Sequence, residues 1–323
     1  MKLTDIYKPI QEELVQVGRE FEKELRGYDG FSTTILNFLI KESGKKLRPA
    51  LALISAKAGG RVTQDVVSLA TAVEVLHTAT LIHDDVLDEA ALRRRKESLN
   101  VRWGNDVSVV IGDYLYAKAF ILLATLKDMR PVHALTETAR IMCMGELSQL
   151  EHRYDFTLSE GAYLSMIERK TASLIATACE LGAHLGGADE KTIEPLSRYG
   201  RLFGIAFQII DDCLDLVGSE KRLGKSLGTD VRKGKPTLPL IYLLQEMSGP
   251  EREKFEQLFR DSGDPNIMEE IRRLIQKRGT LERSFQRARS YLRSAKDAIS
   301  DLRAQESREF LVQIADYTLQ CDR

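Results

Sequence analysis

Apolar residues recur at three- and four-residue spacing along almost the whole chain, while alternating β-branched runs closed by turn pairs are nearly absent. That pattern restricts the chain to helices. Breaks fall where Gly, Pro and Asp gather: Gly27 to Gly30, Ser43 to Pro49, Gly59-Gly60, Asp128 to Pro131, Gly186 to Asp189, Gly218 to Pro239 and Ser262 to Pro265. Between them the pattern predicts helices of roughly 20 to 28 residues, well beyond the mean of about 11 to 12 in globular proteins. No interdomain linker and no repeat of fixed period interrupts them, so a single all-α domain over residues 1–323 is expected. After about residue 250 the helices become charged and Arg-rich, as in residues 280–298, and an outer layer is expected there.

Two predicted helices, residues 63–89 and 189–217, are rich in Ala, Leu, Val and Ile and belong inside a bundle. Each ends in aspartates at i, i+1 and i+4: Asp84, Asp85 and Asp88 in the first, Asp211, Asp212 and Asp215 in the second. On a helix of 3.6 residues per turn, Asp84 stacks with Asp88 and Asp211 with Asp215, which destabilises the helix unless a cation bridges them. One such motif is usually an exposed acidic turn. Two on the most apolar helices place uncompensated charge in the interior, which is very costly. Hard oxygen donors facing one cavity suit Mg2+ completed by phosphate oxygens, so a diphosphate ligand is expected.

Basic groups follow each acidic helix end. Arg93-Arg94-Arg95-Lys96 come after the first, and Gly224-Lys225 and Gly234-Lys235-Pro236 after the second. Ser43-Gly44-Lys45-Lys46-Leu47-Arg48-Pro49 places a further basic loop at a predicted helix start, where amides and side chains together hold phosphate. Singly, such groups are ordinary solvated surface; their order is the signal.

The whole-chain balance, 47 Lys plus Arg against 48 Asp plus Glu, gives a net charge of -1 and no global field, which argues against nucleic acid and anionic membrane partners. Four scattered cysteines without CxxC pairs fit a reduced cytoplasm, and the N-terminus lacks the apolar run of a signal peptide. No stretch reaches the eighteen or so apolar residues of a membrane span.

At GKKLRP, Glu74-to-His77 (ExxH), HDDVLDEA with Arg93-Arg94, GDYLYAKAF, GELSQL, ERKTA, FQIIDDCLD, GKSLGTD and GKPTLPL, the chain resembles the trans-isoprenyl diphosphate synthases, or polyprenyl synthetases. The match covers about residues 40–240, the expected catalytic core. The resemblance implies the isoprenoid synthase fold, long and mostly antiparallel helices around a central cavity. It implies a Mg2+-dependent prenyltransferase, which joins isopentenyl diphosphate to an allylic diphosphate primer. Three Mg2+ ions would lie on the six aspartates. Lys45, Arg48, His77 and Arg94 would hold isopentenyl diphosphate. Arg93, Gln149, Lys170, Thr171, Gln208, Lys225 and Lys235 would orient or neutralise the allylic substrate, with Lys170 and Lys235 stabilising the leaving group. A homodimer is also implied. Because large aromatic residues four or five positions before the first aspartate stop growth in this family, the small Ala79 and Thr80 imply a medium-to-long product, heptaprenyl to decaprenyl. The competing expectations are a short-chain farnesyl or geranylgeranyl synthase, a terpene cyclase, and a non-catalytic subunit of the same fold.

Overall fold

The computed structural model describes residues 2–26, 29–40, 44–93, 96–217, 228–260 and 265–320. Its helices are α1 (Leu3–Ile6), α2 (Gln11–Glu24), α3 (Gly30–Ile40), α4 (Leu47–Gly59), α5 (Gln64–Leu87), α6 (Leu99–Trp103), α7 (Asn105–Ala124), α8 (Arg130–Glu151), α9 (Glu160–Ile167), α10 (Ser173–Leu185) and α11 (Glu190–Val217). They continue with α12 (Thr229–Arg232), α13 (Leu238–Gln245), α14 (Gly249–Arg260), α15 (Pro265–Lys277), α16 (Thr280–Ala298) and α17 (Gln305–Gln320). Two-residue strands, Leu92–Arg93 and Lys96–Glu97, pair antiparallel after α5. The all-α expectation holds.

α5 is the axis of the molecule. Every residue from Val66 to Leu76 is buried, so its first three turns face protein on all sides, packed among α2, α4, α7 and α10. Each fully buried Val or Leu contributes about 1.5–3 kcal/mol relative to exposure. α11 lies between α10 and α16 and carries its buried stripe through Phe203, Ala206, Ile210 and Cys213. Packing of the two helices therefore sets where the acidic ends lie.

The charged segment beyond residue 250 divides. α14 and α15 form a satellite cluster with Phe255, Phe259, Met268, Ile271 and Ile275 over Phe156, Leu216 and Val231. α16 instead returns to the main core through Phe285, Ala288, Leu292 and Ala295, a three-and-four stripe that buries one face while its arginines stay outward. α17 lies across α4.

Two helices, α5 and α7, are long and apolar enough to cross a membrane by length and composition, where no such stretch was expected. The interspersed Thr, Ser, Tyr and Gly broke the apolar count without removing the mean hydropathy. In α5, 72% of the apolar window is buried, which marks a core helix; in α7 only 39% is. The exposed remainder of α7 and its neighbour α8 includes Val110, Ile121, Met144 and Leu147.

Candidate active site

Asp84 and Asp88 close the last turn of α5, with the Asp88 amide donating to the Asp84 carbonyl at 2.8 Å. Carboxylates at a helix C-terminus oppose the macrodipole, so this end needs compensating cations. They arrive from four separate segments. Arg93 Nε donates to Asp85 Oδ1 at 2.8 Å and its Nη2 bonds the same carboxylate. Lys170 Nζ lies 3.7 Å from Asp84. Lys235 Nζ donates to Asp88 Oδ2 at 2.7 Å, and Arg153 stands 3.6 Å from the other oxygen. Burial raises the Asp85 carboxyl above its ordinary range, against the lowering pull of Arg93. Burial works against the Lys170 ammonium too, but Asp84 and Glu146 overcome it and keep the ammonium charged.

Lys170 and Thr171 sit in a π-turn, Glu168–Ala172, inserted between α9 and α10. Such bulges shift successive side chains off the α-helical register. Gly145 of α8 lies directly against this turn; a Cβ there would meet the Lys170 nitrogen at 2.6 Å. The close approach lets Lys170 reach Gln149 Oε1 at 2.8 Å and form an ion pair with Glu146.

The second cluster is held differently. Asp212 accepts from the Tyr163 hydroxyl at 2.6 Å and from Gln208 Nε2 at 2.7 Å, while Thr171 donates to Gln208 Oε1 at 2.7 Å. Asp215 accepts from Thr229 Oγ1 at 3.0 Å and from the Asp230 amide at 3.1 Å. These partners are neutral. Burial first, then the nearby Asp230, raises the Asp212 carboxyl far above its ordinary range. The two clusters approach one another: Asp85, Asp84 and Asp211 all act on the Arg93 guanidinium. Lys235 spans Asp88 and Asp230, at 2.7 and 3.9 Å.

Beside Asp211 opens a cavity of about 280 Å3 lined by Tyr7, Lys45, Phe207, Leu214 and Tyr317. Tyr7 donates to the Lys45 carbonyl at 3.0 Å, and Lys45 Nζ stands 5.9 Å from the Tyr317 ring centre. Lys46 takes a left-handed conformation (φ 50°) and starts α4, so Arg48 falls in its first turn and meets His77 Nε2 at 3.0 Å. The basic loop and the ExxH histidine are thus brought together. Ala79 is fully buried, and the Thr80 hydroxyl bonds the His77 carbonyl; neither lines this cavity. Arg94 and Lys225 lie outside the described residues.

Glu146, Arg153, Tyr163 and Asp230 join this site although the motifs did not single them out. Glu146 stands three residues before Gln149 in GELSQL, on the same helical face, and Asp230 ends GKSLGTD; both signals were in the sequence. Arg153 and Tyr163 carried none.

Among the described residues, no group of three Asp, Glu, His or Cys side chains is arranged around one ion position. The donor chemistry nevertheless fits Mg2+. The carboxylates are hard oxygen ligands, and Asp88 Oδ1 is buried without a hydrogen-bond partner. Lys170 and Lys235 occupy the flanks of the first cluster.

The model of the family described as polyprenyl synthetase matches residues 31–277. The short chain isoprenyl diphosphate synthase of Methanothermobacter thermautotrophicus is 36% identical over 286 residues, 87% of this chain and 88% of that protein. The octaprenyl diphosphate synthase of Haemophilus influenzae is 30% identical over 98% of this chain and 96% of its own. The crystal structure of polyprenyl synthase from Caulobacter crescentus, complexed with calcium and isoprenyl diphosphate, superposes with a TM-score of 0.94 at 34% identity, covering 98% of this chain and 97% of that one.

Proposed function

The chain belongs to the polyprenyl synthetase family and is a prenyltransferase, and from that premise we propose that it extends an allylic diphosphate with isopentenyl diphosphate in a Mg2+-dependent reaction. The observation that carries the reading is the meeting of two aspartate clusters with Lys170, Lys235 and Arg93 at one place in a helical core. Asp84, Asp85 and Asp88 with Asp211, Asp212 and Asp215 would hold three Mg2+ ions, which, when bound, neutralise diphosphate oxygens as the carbon–oxygen bond breaks. Lys170 and Lys235 exchange their carboxylate partners for the leaving diphosphate and disperse its charge. Thr171 and Gln208 fix Asp212. Gln149 and Arg93 orient the allylic substrate, and Lys225 adds a further cation to its diphosphate. Lys45, Arg48, His77 and Arg94 bind the isopentenyl diphosphate. The apolar walls keep water from the allylic cation until the isopentenyl double bond attacks it, after which the departing diphosphate accepts the proton.

The product is a medium-to-long chain, heptaprenyl to decaprenyl. The small side chains of Ala79 and Thr80 support this reading, since neither is the aromatic stop that the resemblance associates with short products, and each further turn of α5 adds about 5.4 Å, of the order of one isoprene unit. The chain works as one domain and as a homodimer in the cytoplasm. The exposed apolar side chains of α7 and α8 supply a self-complementary face, and the described cysteines are free thiols.

Purified protein incubated with labelled isopentenyl diphosphate, a series of allylic primers and either Mg2+ or a chelator tests the reading. Products of about 35 to 50 carbons, seven to ten isoprene units laid along successive helix turns, are expected to vanish with the chelator. No turnover by the chain alone would overturn the reading in favour of a non-catalytic subunit. Ala79→Phe is expected to shorten the product, and an unchanged distribution would remove the route along α5.

A further inference from the structure

We infer that Tyr154 is a positioning residue that aims Lys235, and this rests on the leaving-group reading of Lys235 above. After α8 ends, Tyr154 takes a left-handed conformation with φ 58°. That position usually belongs to Gly or Asn, and a bulky residue there is strained by roughly 1–2 kcal/mol. Such outliers persist where surrounding contacts enforce them.

The contacts are with the loop that carries Lys235. The Tyr154 amide donates to the Gly234 carbonyl at 2.7 Å. Its ring lies against Gly234, itself at φ 70°; a Cβ on Gly234 would come within 2.6 Å of ring carbons. Lys235 is the next residue. Its amide donates to the Asp230 carbonyl at 2.8 Å, and only 5% of it is exposed. With its backbone held on both sides and its side chain buried, Lys235 reaches Asp88 Oδ2 at 2.7 Å, with Asp230 3.9 Å away.

The ring is backed in turn by the satellite cluster. Phe259 meets it edge-on at 6.2 Å, and the Arg260 guanidinium lies 5.7 Å from its centre. Adjacent Arg153 donates to the Leu87 carbonyl at 3.3 Å, so the same short segment touches the end of α5. α14 thereby becomes a buttress for a residue of the reaction centre, although no side chain of α14 touches the aspartates among the contacts described.

Steady-state kinetics of Tyr154→Gly test this, because glycine removes the ring, keeps the amide donor and relieves the positive φ. A displaced group of this kind is expected to lower kcat roughly 10- to 100-fold. The KM for isopentenyl diphosphate is expected to stay within about threefold, since uniform binding is not what was lost. Tyr154→Phe restores turnover. In a Lys235→Ala background the same Tyr154→Gly change is expected to cost under about twofold, because residues acting through one another are not additive. A purely structural role for Tyr154 would give equal losses in both backgrounds, and that result overturns the inference, as does undiminished kcat in Tyr154→Gly. If thermal unfolding shows that Tyr154→Gly does not fold, Tyr154→Leu takes its place in the same cycle: a loss confined to the Lys235 background supports the inference and equal losses overturn it. Full activity of Lys235→Ala would remove the leaving-group reading and this inference with it, an outcome distinct from an impaired Lys235→Ala with an unaffected Tyr154→Gly.

Discussion

The ends of α5 and α11 carry the same aspartate spacing in equally apolar surroundings, yet the protein stabilises them by opposite means. At α5 the charge is met by charge, from Arg93, Lys170, Lys235 and Arg153. At α11 the described contacts of Asp212 and Asp215 are dipoles, from Tyr163, Gln208, Thr229 and a backbone amide, while Asp211 faces the shared Arg93. A buried ion pair leaves a cation that can be released to an incoming anion. Burial raises the Asp212 carboxyl, and its hydrogen bonds from Tyr163 and Gln208 hold it in place. The first cluster is thus built to exchange partners and the second to stay put.

The largest effect that would break this contrast concerns activity. Asp88→Asn removes the Lys235 partner and is expected to lower kcat about 1,000-fold, the scale of a lost preorganised electrostatic contact. Asp212→Asn, which keeps the Gln208 and Tyr163 neighbourhood, should lose at least tenfold less; equal losses in a steady-state assay would abolish the distinction.

Ligand-induced stabilisation sharpens it next. Mg2+ alone has to displace lysines that have nowhere to go, so it should barely move the thermal midpoint. Mg2+ with inorganic diphosphate gives those lysines a new partner, and about 2.7 kcal/mol of stabilisation at a hundredfold excess over Kd is expected, a rise of about 5 °C. An equal shift with Mg2+ alone would count against the exchange.

Lys170→Met leaves Asp84 and Glu146 facing each other and should cost about 2 kcal/mol of stability in metal-free protein, allowing for partial exposure of the site. Adding Glu146→Gln recovers part of that loss in denaturant unfolding.

The last effect is in the pH dependence of metal-free stability, read per pH unit. Asp212 has a folded pKa raised above its unfolded value, chiefly by burial. The folded state therefore binds more protons than the unfolded one as soon as pH exceeds the unfolded value of about 4. Its contribution is present below that value and lost as pH rises toward the folded pKa, with a slope of at most about 1.4 kcal/mol per pH unit. Asp212→Asn should flatten that part of the profile, and an unchanged slope would locate the proton elsewhere.

Much of this arrangement was legible in the residues. Two apolar helices ending in spaced aspartates announced a buried acidic site; the basic groups after them were expected against diphosphate, and in this structure Arg93 and Lys235 lie on the carboxylates Asp85 and Asp88. The resemblance put Arg48 and His77 on one diphosphate, and the two stand 3.0 Å apart. What the chain alone did not give was which neutral donor meets which carboxylate. Tyr163 reaches Asp212 across 49 residues, and nothing periodic marks a single tyrosine. Thr171 and Gln208 were expected against substrate, and the hydrogen bonds add a chain from Thr171 through Gln208 to Asp212 that no spacing announced. The Arg-rich tail was expected as amphipathic outer helices, and α16 has such a buried stripe; what its charge did not reveal is which core each helix joins.

The π-turn at Glu168–Ala172 implies an unusual sensitivity to length. One residue more or fewer rotates everything beyond it by about 100°. A single deletion in ERKTA would give a more regular backbone and turn Lys170 or Thr171 away from its partner. Of all the helical stretches in this protein, this one should be the least forgiving of a missing codon, even though a shorter version would make the better helix.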